Sequence, residues 1–194
     1  MSGDPRFPRL VALACHDLRT PLATVHGFAR TLVRSDLGEP ADRYIAMIEA
    51  ASLQLAELLD ELSLLARIES GRFEPRLEET DSLALAQAAA EELEPGSVEV
   101  SGEGAPVSVE VDATRRALRQ LARAARRHGG LESVSLEVRG AELEIAPVTD
   151  SAAGVVVGDE LRELGAAAAA DFLRALGATL EVADERLVIR LPAA

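Results

Sequence analysis

Apolar residues fall at Val11, Ala14, Leu18, Leu22, Val25, Ala29 and Leu32, stepping by threes and fours, and a second series runs Ile45, Ile48, Ser52, Leu55, Leu59, Leu62 and Leu65. Each series is a heptad seam and predicts a helix. Between them "SDLGEPAD", residues 35–42, supplies a glycine to stop one helix and a proline to start the next, which makes the pair an antiparallel hairpin. Phe28, Leu53 and Leu58 widen the apolar stripe beyond what a lone hairpin covers. Two hairpins are therefore expected to pair into a four-helix bundle, making the molecule a homodimer.

The pattern changes behind the Gly- and Pro-containing stretch "ESGRFEPRLEETD", residues 69–81. Residues 82–94 read as an alanine-rich helix, and "SVEVSGEGAPVSVEV", residues 97–111, alternates with period two around a Gly/Pro turn and predicts two strands. A helix over 113–128, strands near 133–138 and 141–146, a helix over 160–176 stopped by Gly177, and a hairpin of 178–182 with 186–191 complete the order. The expected fold class is α+β: a helical hairpin in residues 1–72 and an α/β sandwich, helices on a mostly antiparallel sheet, in residues 73–194.

Composition narrows the partners. The formal net charge of -13 repels phosphate backbones and anionic lipid, so neither nucleic acid nor a membrane surface is an expected partner. The chain contains neither Lys nor Asn, leaving Arg as its strong cation. A single cysteine, Cys15, forms no intramolecular disulfide, and no apolar run approaches a bilayer span, so a cytoplasmic protein is expected.

One short stretch breaks the rules of a plain helix. "CHDLRTPL", residues 15–22, sets His16 beside Asp17, with Thr20 one turn on and Pro21 inside the helix. His16 lies about 200° around the helix from Leu18 and so faces away from the seam. Asp17 can accept a hydrogen bond from one imidazole nitrogen, which leaves the other unprotonated as a nucleophile. Thr20 can present a hydroxyl to a water near that nitrogen. Pro21 removes a backbone donor and bends the helix just beyond the histidine. His26, outside this cluster, reads as structural.

The stretch resembles the H-box of two-component sensor histidine kinases, and the second helix ends "LSLLARIESG", also typical of that family. The resemblance covers residues 9 to 72. It implies His16 as the phosphoacceptor, Asp17 as its acid/base partner and Thr20 as a residue for dephosphorylating the partner. It also implies docking of response-regulator receiver domains around His16, with Thr24 and Arg30 as candidate determinants.

The same resemblance implies a Bergerat-type ATP-binding domain next, and "LRELGAAAAADFLRALGATLEVADERLVIRLP" is similar to its closing helix and hairpin. Its nucleotide chemistry requires asparagines for Mg²⁺, an Asp-x-Gly-x-Gly turn for adenine and a glycine-rich lid. Aligned on "RRHGG", the asparagine positions hold Gln120 and Ala124. The adenine turn survives only as "DSAAG", with Asp150 and Gly154 as vestiges and Ala152 at its first glycine. "VVVGDELREL" is too short for a lid. Arg115, Arg119, Arg123 and Arg127 recur every four residues and read as a solvated face.

The expected activity is that of a histidine phosphotransferase, moving phosphoryl between His16 and receiver aspartates in a phosphorelay without ATP. No cofactor is expected in this chain, the Mg²⁺ being the regulator's. A divergent kinase that still autophosphorylates and a non-catalytic pseudokinase scaffold stand as alternatives.

Overall fold

The computed structural model describes residues 6–34 and 40–194, and the turn expected within 35–42 lies largely outside the described residues. The chain divides into two compact units, Met1–Ser63 and Leu64–Ala194.

Two long helices build the first unit, α1 (Arg6–Arg34) and α2 (Pro40–Glu69), the latter running on into the second unit. Phe28 stacks on Tyr44 with ring centroids 5.3 Å apart, tying the helices together near the turn. Leu10, Ala14 and Ala51 are buried. The seam, however, divides within a single chain. Ile48, Leu55 and Leu62 are half-buried, whereas Ile45, Ser52 and Leu59, seven residues apart, are exposed, as are Cys15, Leu22 and Ala29 on α1. Leu22, Ile45 and Leu59 leave 58%, 54% and 53% of their surface in solvent. Each helix thus carries one apolar row turned inward and a second left uncovered.

Helices α3 (Ser82–Glu91), α4 (Val111–Gly129), α5 (Asp150–Val156) and α6 (Leu164–Leu176) cover a five-stranded sheet in the second unit. Its order is β2 (Val98–Gly104), β4 (Val134–Gly140), β5 (Glu142–Ala146), β7 (Arg186–Arg190), β6 (Thr179–Ala183). The core is aliphatic, with Leu118, Leu121, Leu136, Leu143, Ile145, Leu187 and Ile189 fully buried and Phe172 set edge-on against Phe73. The period-two stretch 97–111 does form two strands, but they do not pair with each other. β2 lies parallel to β4, while β3 (Pro106–Val109) joins β1 (Glu78–Asp81) in a separate antiparallel pair. Gly102, at φ 106°, lets β2 cross Val138, since a Cβ there would collide with the Val138 carbonyl. At the end of the chain Asp184 and Glu185 both adopt left-handed backbone, the tight turn that joins β6 to β7.

Side chains anchor the joints between these elements. Asp81 caps α3, its carboxylate accepting from the Ala84 amide at 3.0 Å. The buried Ser82 hydroxyl donates to the Gly140 carbonyl and accepts from the Ala105 amide. Asp81→Ala is expected to lower stability by about 0.5–2 kcal/mol, the range for a lost helix cap. Urea unfolding checks this, as a reduced midpoint at unchanged slope.

Candidate functional site: the His16 face of α1

α1 runs unbroken through Pro21, which is buried. Because Pro21 has no N–H, the Asp17 carbonyl loses the donor it would meet one turn on. One turn further, Thr24 donates its hydroxyl to the Thr20 carbonyl at 3.1 Å.

Outside this polar segment the His16 side chain stands 75% exposed, beside an Asp17 that is 22% exposed. Its Nδ1 lies 3.0 Å from Asp17 Oδ1. With the carboxylate accepting, the proton sits on Nδ1 and the lone pair of Nε2 points to solvent. An imidazole in this state can attack an electrophile at Nε2 while the charge that develops on the ring is balanced at Nδ1. Thr20 lies one turn along, exposed. The structure therefore brings His16, Asp17 and Thr20 together on one short segment of helix. His26 is exposed as well, so its reading as a structural residue finds no packing to support it.

The positions singled out in the second unit have other surroundings. Gln120 and Ala124 are buried in α4, which packs against both α5 and α6. "DSAAG" opens α5 in place of a loop, with Thr149 at the N-cap, Asp150 exposed and Ala152 buried. Gly154 serves packing: its carbonyl accepts from the Asp159 and Glu160 amides, and a Cβ there would come 2.7 Å from Glu160 Cγ. Every residue from Ala166 to Ala170 is buried, which allows α6 to lie close to α4. A pocket of about 760 Å³ sits elsewhere, at the far end of α4, where Arg123, Arg126 and Arg127 face Glu92 and Glu94.

The arginine stripe of α4 is divided: Arg115 and Arg119 are ion-paired, Arg127 stands 3.9 Å from Glu163, and Arg123 is exposed. Arg115 and Arg119 hold Glu92 at 2.9 and 2.8 Å, and Arg126 holds Glu94 at 2.7 Å, stapling the end of α3 to α4. His128 and Glu163 meet at 2.9 Å and join the end of α4 to the start of α6. Among the described residues no group of three or more His, Cys, Asp and Glu is arranged to hold a metal, and no helix is long and apolar enough to cross a membrane.

Residues 9–71 match the His Kinase A (phospho-acceptor) domain. The chain is 32% identical over 120 residues to the histidine protein kinase DivJ of Caulobacter vibrioides, a match covering 58% of this chain and 20% of DivJ. It is 38% identical over 74 residues to the sensor histidine kinase TrcS of Mycobacterium tuberculosis, covering 37% of this chain and 14% of TrcS. It thus spans a fifth or less of these relatives' length. The solved histidine kinase AdeS of Acinetobacter baumannii shares the fold with a TM-score of 0.68 at 17% identity, over 91% of this chain and 97% of that one. Residues 9–71 thus carry a segment matching the phosphoacceptor domain of histidine kinases, and the chain is similar to two-component sensor histidine kinases.

Proposed function

We propose that the protein is a histidine phosphotransferase that exchanges phosphoryl between His16 and the aspartates of response-regulator receivers and does not use ATP. In the forward step His16 Nε2 attacks the phosphorus of an aspartyl phosphate, the bond from phosphorus to the carboxylate oxygen breaks, and the aspartate leaves as its anion. Asp17 holds the proton on Nδ1 and balances the positive charge of the phosphorylated ring. In reverse, a second receiver's carboxylate attacks and His16 Nε2 leaves as the neutral imidazole. The Mg²⁺ that screens the phosphoryl oxygens belongs to the receiver's acidic pocket. Thr20 positions the water that hydrolyses the receiver's phosphate.

The observation that carries this reading is a contrast within one chain. His16 is exposed and hydrogen-bonded to Asp17, while Gln120, Ala124 and Ala152 are buried. These three do not fit a magnesium nucleotide: Ala124 and Ala152 carry no donor for metal or base, and Gln120 is enclosed. Homodimerisation is supported by the uncovered heptad rows Cys15, Leu22, Ala29 and Ile45, Ser52, Leu59, which a second copy can bury.

Two parallel incubations test the reading, one with radiolabelled ATP and Mg²⁺, the other with receiver domains carrying labelled aspartyl phosphate. Label is expected from the receivers alone, and saturating nucleotide should leave the melting temperature unchanged, since a ligand that binds the folded state raises it. Label from ATP, or a thermal shift that Asp150→Ala removes, would establish a kinase instead. Transfer in neither tube would favour the scaffold.

A further inference from the structure

One cavity of the second unit belongs neither to the His16 face nor to the positions Gln120, Ala124 and Ala152. It holds about 760 Å³ between the residues that follow α3 and the C-terminal end of α4. That volume falls within the range of small-molecule sites, roughly 300–1,000 Å³. Leu93 and Leu131, both half-buried, give it an apolar lining.

The charges around it do not cancel in place. Glu94 is held by Arg126 at 2.7 Å, and Glu92 by Arg115 and Arg119, which lie outside the cavity. Arg127 leans toward Glu163, 3.9 Å away. Arg123 and Glu132 remain. Both line the cavity and are exposed, and neither makes an ion pair or hydrogen bond among the described residues, with each other or with another group. A cation and an anion that share a concave wall with two leucines and yet stay apart are placed to meet a ligand with both charges and an apolar body. Arg116, equally exposed on the same helix, does not line the cavity.

The end of α4 gives the cavity a direction. The helix stops at Gly129, and its last carbonyls carry the negative end of the helix dipole, which favours a cation there. Glu132, just beyond, adds a full negative charge. Arg123 lies back along the helix, about 10 Å from Gly130 at a rise of ~1.5 Å per residue. Its guanidinium suits the two oxygens of a carboxylate. An extended chain of three residues covers about the same 10 Å. A polyanion such as a nucleotide would instead meet the carboxylates of Glu92, Glu94 and Glu132.

We propose that this cavity binds a short apolar zwitterion of the class of a tripeptide with free termini. Its carboxylate lies on Arg123, its ammonium between Glu132 and the end of α4, and its side chains against Leu93 and Leu131. The site does not depend on the phosphotransferase reading and gives the second unit a ligand other than a nucleotide.

Isothermal titration calorimetry of the full chain with Leu-Gly-Leu, Phe-Gly-Phe and Val-Gly-Val tests this. At least one of them is expected to bind with a Kd below about 1 mM. Acetylation of its N-terminus removes the ammonium and amidation of its C-terminus removes the carboxylate. Each should weaken binding about tenfold, the scale of a lost charge-assisted hydrogen bond. Arg123→Gln should weaken the free peptide about tenfold and no longer distinguish it from its amide; Glu132→Gln should do the same for the acetylated form. Arg116→Gln should bind as the wild type does. All three positions are exposed, so the variants should keep the wild-type circular dichroism spectrum.

No binding by any of the three peptides up to about 5 mM would overturn the site. So would binding that ignores Arg123→Gln or Glu132→Gln, or blocked peptides that bind as tightly as the free one. Displacement of the peptide by ATP with Mg²⁺ would also overturn it, by making the cavity a phosphate site.

Discussion

His16→Ala should leave the protein unlabelled by every phosphorylated receiver, because no other side chain on this face offers a nucleophile held ready by a carboxylate. The wild-type label should be labile to acid and stable to base, as a phosphoramidate is. Asp17→Asn keeps the shape of the contact at Nδ1, 3.0 Å in the native protein, and removes its charge. Transfer is then expected to slow by about 10²- to 10⁴-fold, the range for a lost acid/base partner. Thr20→Ala should differ in kind: transfer persists, while hydrolysis of the receiver's phosphate declines. Quenched-flow measurement with a labelled receiver resolves all three. A label that survives on His16→Ala would move the acceptor elsewhere and end the mechanism proposed for this face.

The second large effect concerns assembly. Leu59→Glu is expected to convert a dimer to a monomer, halving the mass seen by light scattering. In a single chain Leu59 is 53% exposed, so a carboxylate there leaves the hairpin's own packing intact and helicity unchanged. Across a two-fold bundle the same carboxylate would be buried opposite its copy, at a cost of several kcal/mol. Ile45→Glu should act alike, being one step of the same row. A wild-type monomer, or a Leu59→Glu dimer of unchanged affinity, would contradict the bundle.

The hairpin was legible because its signal is long. Two heptad series and an eight-residue polar motif leave few other structures open to residues 9 to 72, and period alone puts His16 outside. What period cannot tell is which apolar row closes the hairpin and which remains bare; that depends on the rotation of α1 against α2, and Ile48 and Ile45 look alike in the sequence. The second unit was legible in its elements and less so in its pairing. Strands β2 and β3 flank a Gly/Pro turn and yet separate, because Ser82 and the β1 strand draw β3 away while β4 takes β2 in parallel. Four residues of β1 carry no alternation strong enough to lift them out of a linker. α5 escaped notice for a different reason. "DSAAG" holds a glycine and resembles a turn, and only burial of Ala152, Val155 and Val156 under neighbouring helices makes it a helix. A lone histidine gives no hint of burial in the sequence, and His26 proves exposed, without packing to support a structural role.

Drugs that silence kinases by imitating adenine act as wedges, flat rings slid into a slot about as thick as a purine. In this protein α6 lies against α4 with its alanines buried and Ala124 enclosed beneath. On the proposed reading that the protein uses no ATP, a compound that stops a relative's kinase is expected to pass this protein by, and interrupting its traffic calls for a molecule broad enough to sit across the exposed imidazole of His16.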